Sequence, residues 1–573
     1  MKHCRFIYII ACLAVGLLLE ACGEKEPLHI KIVCTSDVHG NLLSHDFLAD
    51  SPMEGGLARV SSYLKELRRQ SATNGGEVIY IDNGDMLLGQ PTTYYYNTEA
   101  IGQKHLAAEA LNYLKCNAVV LGNNDIKTGG PTYQRYANDL DCPIVCGNIM
   151  LEDSDRPFFT PYIVIERQGV KIVFLGLTTP IVPYQSPYAL WKGMEFEDME
   201  RSASRWMKHL KEHVNPDIVI GVFHSGYEEG VSTNGCIENA TRAVAERVPG
   251  FDAIFYGHIH QEQVQKITNI EGDTVLLINP ANNAEKVALV DIEVGKGKEY
   301  KLNASLVDMK GYEPDQEYMN AFSSHFERIN RYVNRTIGTS PHEARMTDAI
   351  FGPSRLVDFI HQMQLDVSGA KISFAAPLSD VTLPEGEVKI RDIYRLMPYE
   401  NTLYILWLTG REVKDYLEMS YSQWTNQMKQ KEDHLLLLTN DNSTLQYHYH
   451  NFDSAAGIIY EVDVTQPIGK KISIKQMADG TPFNPSAKYM VVMNSYRANG
   501  GGRLLTEGAR ITHDTLLKRI EYTTTADLRF YLISYVEMNK KLNPQPLNQW
   551  KFVPESWADP AAIRDSNLLF GKE

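Results

Sequence analysis

Ile30-Lys-Ile-Val-Cys-Thr-Ser-Asp-Val-His39 joins a short apolar run to an Asp-x-His pair. The same succession of an apolar run and a polar, ligand-type residue recurs along the chain, at residues 78–85, 118–123, 218–224 and 253–260. Runs of this length and β-branched content are typical of buried strands. Amphipathic stretches such as 57–70 and 199–213 separate them, so the sequence predicts an α/β fold.

Polar side chains follow these predicted strands where each strand ends. They are two aspartates, one asparagine and four histidines: Asp37, His39, Asp85, Asn123, His224, His258 and His260. Ligands gather at the carboxyl ends of strands in open α/β sheets, so these loops should converge. The mixture of carboxylate, amide and imidazole suits two divalent cations such as Mn²⁺ or Zn²⁺. Two cations about 3.5–4 Å apart can clamp a phosphoryl group and lower the pKa of a bridging water.

These motifs resemble those of the calcineurin-like metallophosphoesterases. The matching stretches are Asp37-x-His39, Gly84-Asp85, Gly122-Asn123, Phe223-His224 and Gly257-His258-x-His260. The resemblance implies a four-layer α/β/β/α sandwich over residues 28–305 and two divalent metal ions, with Mn, Zn, Mg and Co as candidates. It also implies that one metal takes Asp37, His39, Asp85 and His260. The other would take Asp85, Asn123, His224 and His258, so that Asp85 bridges the two.

One position departs from the family pattern. This chain reads Gly122-Asn-Asn-Asp125, whereas the family normally has histidine at the position of Asn124. In the family that histidine stabilises charge on the phosphoryl oxygens or the leaving group, and losing such a contribution costs about 10²–10⁴ in rate. We therefore place Asn124 and Asp85 at the catalytic centre but expect slower chemistry. Lys127 could supply a compensating charge, although we expect it to be a solvated surface lysine.

The second half of the chain resembles the C-terminal domain of bacterial periplasmic nucleotidases, most closely the 2′,3′-cyclic-nucleotide 2′-phosphodiesterase/3′-nucleotidase branch. The matching stretches lie at 372–378, 397–403, 451–453, 460–467 and 494–502. The resemblance implies an α/β substrate-binding domain over residues 339–552. It further implies that Tyr399 and Tyr496 sandwich the base, with Asn401 and Gly501 as further substrate contacts. Arg497, beside Tyr496, is a candidate either for a substrate contact or for a packing role.

Residues 375–378 bear on the choice of substrate. They read Ala-Ala-Pro-Leu, where the 5′-nucleotidase branch has a glycine-rich stretch ending in arginine. We therefore expect an enzyme that converts nucleotides to nucleosides and phosphate, with 2′,3′-cyclic nucleotides and 3′-nucleotides favoured. A 5′-nucleotidase or UDP-sugar hydrolase is the alternative within this class. A nucleotide-binding lipoprotein weakened in catalysis by Asn124 is the alternative outside it.

Two segments connect and end these domains. Apolar residues recur at spacings of three and four through 319–333, which predicts one amphipathic linker helix over 312–335. Residues 553–573 are predicted to be a loose tail.

The N-terminus resembles a bacterial lipoprotein signal. Lys2 and Arg5 precede an apolar run at residues 6–19, too short to span a bilayer, and the sequence then reads Leu19-Glu-Ala-Cys22. We expect residues 1–21 to be a signal peptide and Cys22 to carry the lipid. The protein would then be exported and held at the membrane in the periplasm or at the cell surface.

The charge balance limits the partners. The chain of 573 residues has 56 Lys and Arg against 71 Asp and Glu, a formal net charge of −15. An acidic chain is poorly suited to long nucleic acids, whereas two divalent cations can attract a small phosphate locally. We expect a monomer whose partner is a small nucleotide.

Overall fold

The computed structural model describes residues 28–167, 169–233, 235–295 and 299–571. The predicted signal peptide and Cys22 lie outside the described residues. No helix in the described ranges has both the length and the apolar character that crossing a bilayer requires.

The first sheet carries the opening Asp-x-His motif. Its five strands are, in spatial order, Tyr300–Asp308, Lys286–Val294, Leu28–Thr35, Glu77–Asp82 and Ala118–Val119. Leu28–Thr35 runs parallel to Glu77–Asp82 and antiparallel to Lys286–Val294. Because Asp37 and Asp85 follow two neighbouring parallel strands, both leave the same edge of the sheet.

A second sheet packs face to face on the first. Its six strands are, in spatial order, Glu262–Thr268, Thr274–Pro280, Ala253–Tyr256, Ile218–His224, Val170–Thr178 and Tyr162–Arg167. Alternate side chains such as Ile30, Ile32 and Ile220 fill the core between the sheets.

Helices cover the outer face of each sheet. Val33 points to the other side of its strand and joins the cluster that contains residues of the helix Leu57–Thr73. The second sheet is covered by Met199–His209 and Thr241–Arg247. The predicted four-layer α/β/β/α arrangement is therefore confirmed.

The second half of the chain forms a separate sheet with its own core. Five strands lie in the order Ser454–Ala456, Ile372–Ala375, Lys488–Asn494, Thr402–Thr409 and Ile520–Asp527. A three-stranded sheet contains Ile472–Met477, Ile458–Asp463 and Trp550–Val553. Trp424 and Phe452 stack in the buried aromatic core between them. The α-helices of this half are Arg355–Ser368, Ile390–Leu396, Gly410–Trp424, Ser495–Ala498, His513–Leu517, Leu528–Asn539 and Glu555–Phe570.

The linker prediction of one helix over 312–335 needs a correction. The structure has two helices, Gln316–Ala321 and Ser323–Val333, because the backbone of Phe322 leaves the helical region at ψ 11°. The side chain of Asp315 caps the first helix and accepts hydrogen bonds from Ser61 and Lys65 of the first half. The linker is thereby attached to the first half of the chain.

The prediction of a loose tail at 553–573 is wrong for the described part. Glu555–Phe570 is a helix that buries Ala558 and Ala561. Asp565, fully buried, accepts hydrogen bonds from His434 Nδ1 at 2.5 Å and from the Leu436 N–H at 3.0 Å. The helix packs against the second half of the chain through small residues on one face and through this buried carboxylate. Such a pattern is too weak to predict a helix from hydrophobic periodicity alone.

Candidate active site

Two clusters of ligand-type side chains lie at the shared edge of the sheets. One contains Asp37, His39 and His260, and the other contains Asp85, His224 and His258. Within each cluster the ligand atoms lie within 4.8 Å of one another. Six residues predicted from strand-end positions thus lie in two groups of three. The resemblance implied two sets of four, with Asp85 in both and Asn123 in the second.

The backbone at these ligands is unusual. The φ angle is positive at Asp37, His39, Asp85, His258 and His260, with values between 49° and 71°. Non-glycine residues rarely adopt this region, and such strain is concentrated at functional sites. The sharp turns after the strands aim the side chains across the edge rather than along the loops.

Of the two carboxylate oxygens of Asp37, only Oδ2 accepts hydrogen bonds from the described residues. Its Oδ2 accepts hydrogen bonds from Ser36 Oγ at 2.5 Å and from the His258 N–H at 3.0 Å. Its Oδ1 is buried without a hydrogen-bond partner among the described residues and lies 3.3 Å from His260 Nε2. Leaving a buried carboxylate oxygen unpaired is costly, and a cation would satisfy it.

Backbone carbonyls fix the rings of two histidines. His224 Nδ1 lies 2.8 Å from the Asn83 carbonyl oxygen, and His39 Nδ1 lies 2.9 Å from that of Leu88. Donation from Nδ1–H leaves Nε2 as the lone-pair atom in each ring. His224 Nε2 is buried without a hydrogen-bond partner in the described chain, 3.4 Å from Asp85 Oδ2.

His258 is oriented by a carboxylate that the sequence did not reveal. Its Nε2 lies 3.1 Å from Glu238 Oε1, which leaves Nδ1 available to a cation. Glu238 is held by the Val231 N–H at 2.8 Å and by Gln185 Nε2 at 3.1 Å. It arrives from a loop after the short strand Cys236–Ile237 and belongs to no spaced motif, so no signal in the sequence pointed to it.

Asn123 and Asn124 have different surroundings. The side-chain oxygen of Asn123 is buried without a partner among the described residues, as expected of a ligand atom. Asn124 donates its backbone N–H to Asp85 Oδ1 at 2.8 Å and its Nδ2 to Asp85 Oδ2 at 2.5 Å. Gly122 permits this approach, because a Cβ there would overlap the Asp85 carboxylate.

Asp125 ties the two ligand loops together. Its Oδ2 accepts the N–H groups of Asp85 and Gly122, and its Oδ1 accepts those of Met86 and Leu87, each at 2.8 Å. Asp125 belongs to the Gly-Asn-Asn-Asp motif, but the sequence alone indicated no role for it.

The charges at the site depend on each other. Burial lowers the pKa of His224, but the carboxylates of Asp85 and Asp37 outweigh it and raise this pKa to about 10. Burial raises the pKa of Asp85, yet His224 and its neighbours hold it well below the usual range. The buried carboxylates of Asp37 and Asp85 and the His224 imidazolium thus stabilise one another, and divalent cations would displace the His224 proton on binding.

A cavity of about 1070 Å³ opens from these residues toward the second half of the chain. His39, Asn124 and His260 line it on one side, and Tyr399 and Tyr496 line it on the other. The two tyrosines are 53% and 50% exposed, which is high for large aromatic side chains in a folded core. Their open faces are the apolar surface that a stacked planar ligand would need.

Comparisons with known proteins match both halves of the chain. Residues 30–262 match the calcineurin-like phosphoesterase family, and residues 336–507 match the C-terminal domain of 5′-nucleotidases. The chain therefore contains one domain that matches each family. Its first half is the phosphoesterase domain and its second half the nucleotidase domain, and the protein is a metal-dependent phosphoester hydrolase.

Relatives extend over most of the chain. The 2′,3′-cyclic-nucleotide 2′-phosphodiesterase/3′-nucleotidase of Yersinia enterocolitica is 24% identical over 96% of this chain and 91% of its own length. The trifunctional nucleotide phosphoesterase YfkN of Bacillus subtilis is 27% identical over 93% of this chain, which spans only 39% of that protein. A putative 5′-nucleotidase structure from Staphylococcus aureus shares the fold, with 20% identity, a TM-score of 0.73 and coverage of 91% and 99% of the two chains.

In the nucleotidase domain, Asn401 and Gly501 lie where they were predicted, on the cavity wall. Asn401 is largely buried and accepts a hydrogen bond from Ser495 Oγ at 3.1 Å. A Cβ on Gly501 would lie 2.5 Å from the ring of Tyr496, so glycine is what allows that ring to lie against the loop.

Of the two roles considered for Arg497, the structure shows the packing role. Only 2% of it is exposed, and its Nε and Nη2 donate to Asp453 at 3.0 and 2.8 Å. Its remaining donors reach the carbonyl oxygens of Gly501 and His450. Arg497 lies against the Tyr496 ring, 5.4 Å from its centroid, and so supports the tyrosine rather than the ligand.

Lys127 differs from expectation. It lines the cavity and donates Nζ to the side-chain oxygen of Asn124 at 3.1 Å, instead of pointing into solvent. Burial lowers its pKa, against the opposing charges of Asp85 and Glu238.

The two domains meet through direct hydrogen bonds beside the cavity. The Gly89 N–H of the phosphoesterase domain donates to Glu400 Oε1 at 3.0 Å. Asn499 Nδ2 of the nucleotidase domain donates to the Gln185 carbonyl oxygen at 2.8 Å.

Proposed function

We propose that this chain is an exported dinuclear-metal phosphoesterase that hydrolyses nucleotides to nucleosides and phosphate, with 2′,3′-cyclic nucleotides and 3′-nucleotides favoured. One observation carries the proposal. A single cavity is lined by metal-ligand candidates of the phosphoesterase domain and by two half-exposed tyrosines of the nucleotidase domain. A nucleotide has the same two parts, a charged phosphoryl group and a planar base.

The residues present fit two divalent cations. Buried atoms on Asp37, Asn123 and His224 have no hydrogen-bond partner within the described ranges, and each is a good donor to a borderline metal. We propose Asp37, His39, Asp85 and His260 for one cation, and Asp85, Asn123, His224 and His258 for the other. When bound, the cations would neutralise phosphoryl charge and make water a better nucleophile. Mn, Zn, Mg and Co remain candidates.

The remaining roles fall to residues of this chain. Glu238 and the carbonyls of Asn83 and Leu88 hold the imidazoles in one tautomer and orientation. Tyr399 and Tyr496 would hold the base by stacking, which is worth about 1–3 kcal/mol per base and does not depend on base identity. The phosphorus would then lie between the tyrosines and the ligand clusters.

Two facts support 2′,3′-cyclic and 3′-nucleotides as substrates. The Yersinia relative is named as an enzyme for these substrates and aligns with almost the whole chain. Residues 375–378 offer no charged side chain to hold a 5′-phosphate. The Staphylococcus neighbour is named a putative 5′-nucleotidase, so 5′-nucleotides belong in the same test.

The cellular setting is part of the proposal. Residues 1–21 would direct export and Cys22 would carry a lipid, so a monomer would act on small nucleotides at the outer side of a membrane. Labelling with radioactive palmitate tests this, since Cys22→Ser should lose the label. Label retained in the variant would refute the anchor without touching the chemistry.

A substrate panel tests the activity. The metal-loaded chain should turn over 2′,3′-cyclic AMP and 3′-AMP with higher kcat/KM than 5′-AMP or UDP-glucose, and chelation should abolish turnover. A preference for 5′-AMP or UDP-glucose would favour the alternative hydrolase. Nucleotide binding without turnover at full metal content would instead favour the binding lipoprotein.

A further inference from the structure

Lys127 lies next to the dinuclear centre. It ends the short helix Asn123–Lys127 and shares a face with Asn124, three residues earlier. Its Nζ is 3.1 Å from Asn124 Oδ1, and the other end of that amide is 2.5 Å from Asp85 Oδ2. One amide group therefore separates the ammonium from the carboxylate proposed to bridge the cations.

The other Lys and Arg side chains that line the described part of the cavity are already paired with carboxylates. Arg529 lies 3.2 Å from Glu400 Oε1, and Arg503 lies 3.3 Å from Glu507 Oε1. Lys127 instead donates to a neutral amide. The four histidines must be neutral to bind cations, so they supply no charge of their own.

We propose that Lys127 is the phosphate-binding cation of this site, with its ammonium contacting an oxygen of the phosphoryl group. The inference rests on the proposed function. In hydrolysis, a water oxygen bonds to phosphorus as the ester P–O bond breaks, the electron pair goes to the leaving oxygen, and a proton from the water ends there. Lys127 keeps its protons throughout and contributes charge alone.

Binding of inorganic phosphate tests the inference without turnover. We expect Lys127→Met to weaken phosphate binding to the metal-loaded protein by about 10–100-fold, the range for a hydrogen bond to a charged group. Lys127→Arg keeps the positive charge and with it the charged contact to phosphate. Its phosphate affinity should therefore stay within about threefold of that of the parent. Isothermal titration with phosphate gives the affinities, and elemental analysis gives the metal content.

Lys192→Met is the matched control. Lys192 is exposed on the same domain, so its replacement removes one positive charge without altering the cavity. An unchanged phosphate affinity in Lys127→Met at full metal content would overturn the inference. Equal loss in Lys127→Met and Lys127→Arg would also overturn it, because a packing role would then explain both.

The two proposals fail separately. A parent chain that binds metal and phosphate but hydrolyses no nucleotide would refute the proposed function while the Lys127 result stands. Parent turnover of nucleotides with no effect of Lys127→Met on phosphate binding would refute the inference alone.

Discussion

Replacing Asp125 by asparagine should loosen the metal site without touching any proposed ligand. The carboxylate accepts four backbone N–H groups, two on each oxygen, from the loops that carry Asp85 and Gly122. In Asp125→Asn one oxygen becomes an NH₂ group, so two buried N–H groups lose their acceptor and face a donor. Each unsatisfied group costs about 1–3 kcal/mol, so the loop arrangement should lose about 2–6 kcal/mol.

The loss should appear in metal affinity, because Asp85 is the proposed bridging ligand. Even the lower limit of about 2 kcal/mol corresponds to a weakening of about thirtyfold. Competition with a chelating indicator measures the affinity for Mn²⁺, and calorimetry follows the unfolding midpoint.

Asp198→Asn is the control for this substitution. Asp198 caps the helix Met199–His209 by accepting the Arg201 N–H at 3.0 Å, and asparagine caps equally well. We expect little change in the Mn²⁺ affinity or the unfolding midpoint of Asp198→Asn. Parental Mn²⁺ affinity and midpoint in Asp125→Asn would refute the reasoning that this carboxylate holds the ligand loops.

Other predictions address the base, the second cation and the effect of pH. Tyr399→Ala and Tyr496→Ala should each raise KM for 3′-AMP by about 5–100-fold, with glycerol 2-phosphate unaffected because it has no planar ring to stack. Tyr188→Ala is the control, and equal losses on both substrates would contradict stacking. Glu238→Gln should weaken the binding of one of two Mn²⁺ ions by about 10–100-fold in a metal titration. Unchanged affinities for both ions would contradict the orienting role of Glu238. Burial lowers the pKa of His361 to about 3. His361 therefore stays neutral in the native state at pH values where the unfolded chain is protonated, below about pH 6.5. Stability should therefore fall as the pH drops from 6.5 toward 3, by about 1.4 kcal/mol per unit, and His361→Gln should flatten this dependence in denaturant titrations at pH 7 and 5.

Residues at strand ends could be placed from the sequence because topology alone brings them together. Asp37, Asp85 and His224 each follow an apolar run, and parallel strands deliver their carboxyl ends to one edge. The two sheets and their helical cover follow from the same alternation. Tyr399 and Tyr496 could be proposed only through resemblance, since their exposure depends on how two domains face each other.

The residues that were missed or misjudged act through distant partners. The sequence left Arg497 between ligand contact and packing because its burial depends on Asp453, which is 44 residues away. Glu238 comes from an irregular loop, where no periodicity marks a side chain as pointing inward. Lys127 was predicted to be solvated because a helix of five residues is too short for the sequence pattern to show which of its faces is buried.

The domain contact at Gly89 has a consequence for how the site responds to its surroundings. Gly89 donates to Glu400 of the other domain, while the preceding residue, Leu88, supplies the carbonyl that holds His39. A relative displacement of the domains would therefore reach a proposed metal ligand across a single peptide unit. Linkage is reciprocal, so a cation bound at His39 and the Gly89–Glu400 hydrogen bond should each strengthen the other. Cation binding would then stabilise this arrangement of the two domains in addition to its role in the chemistry.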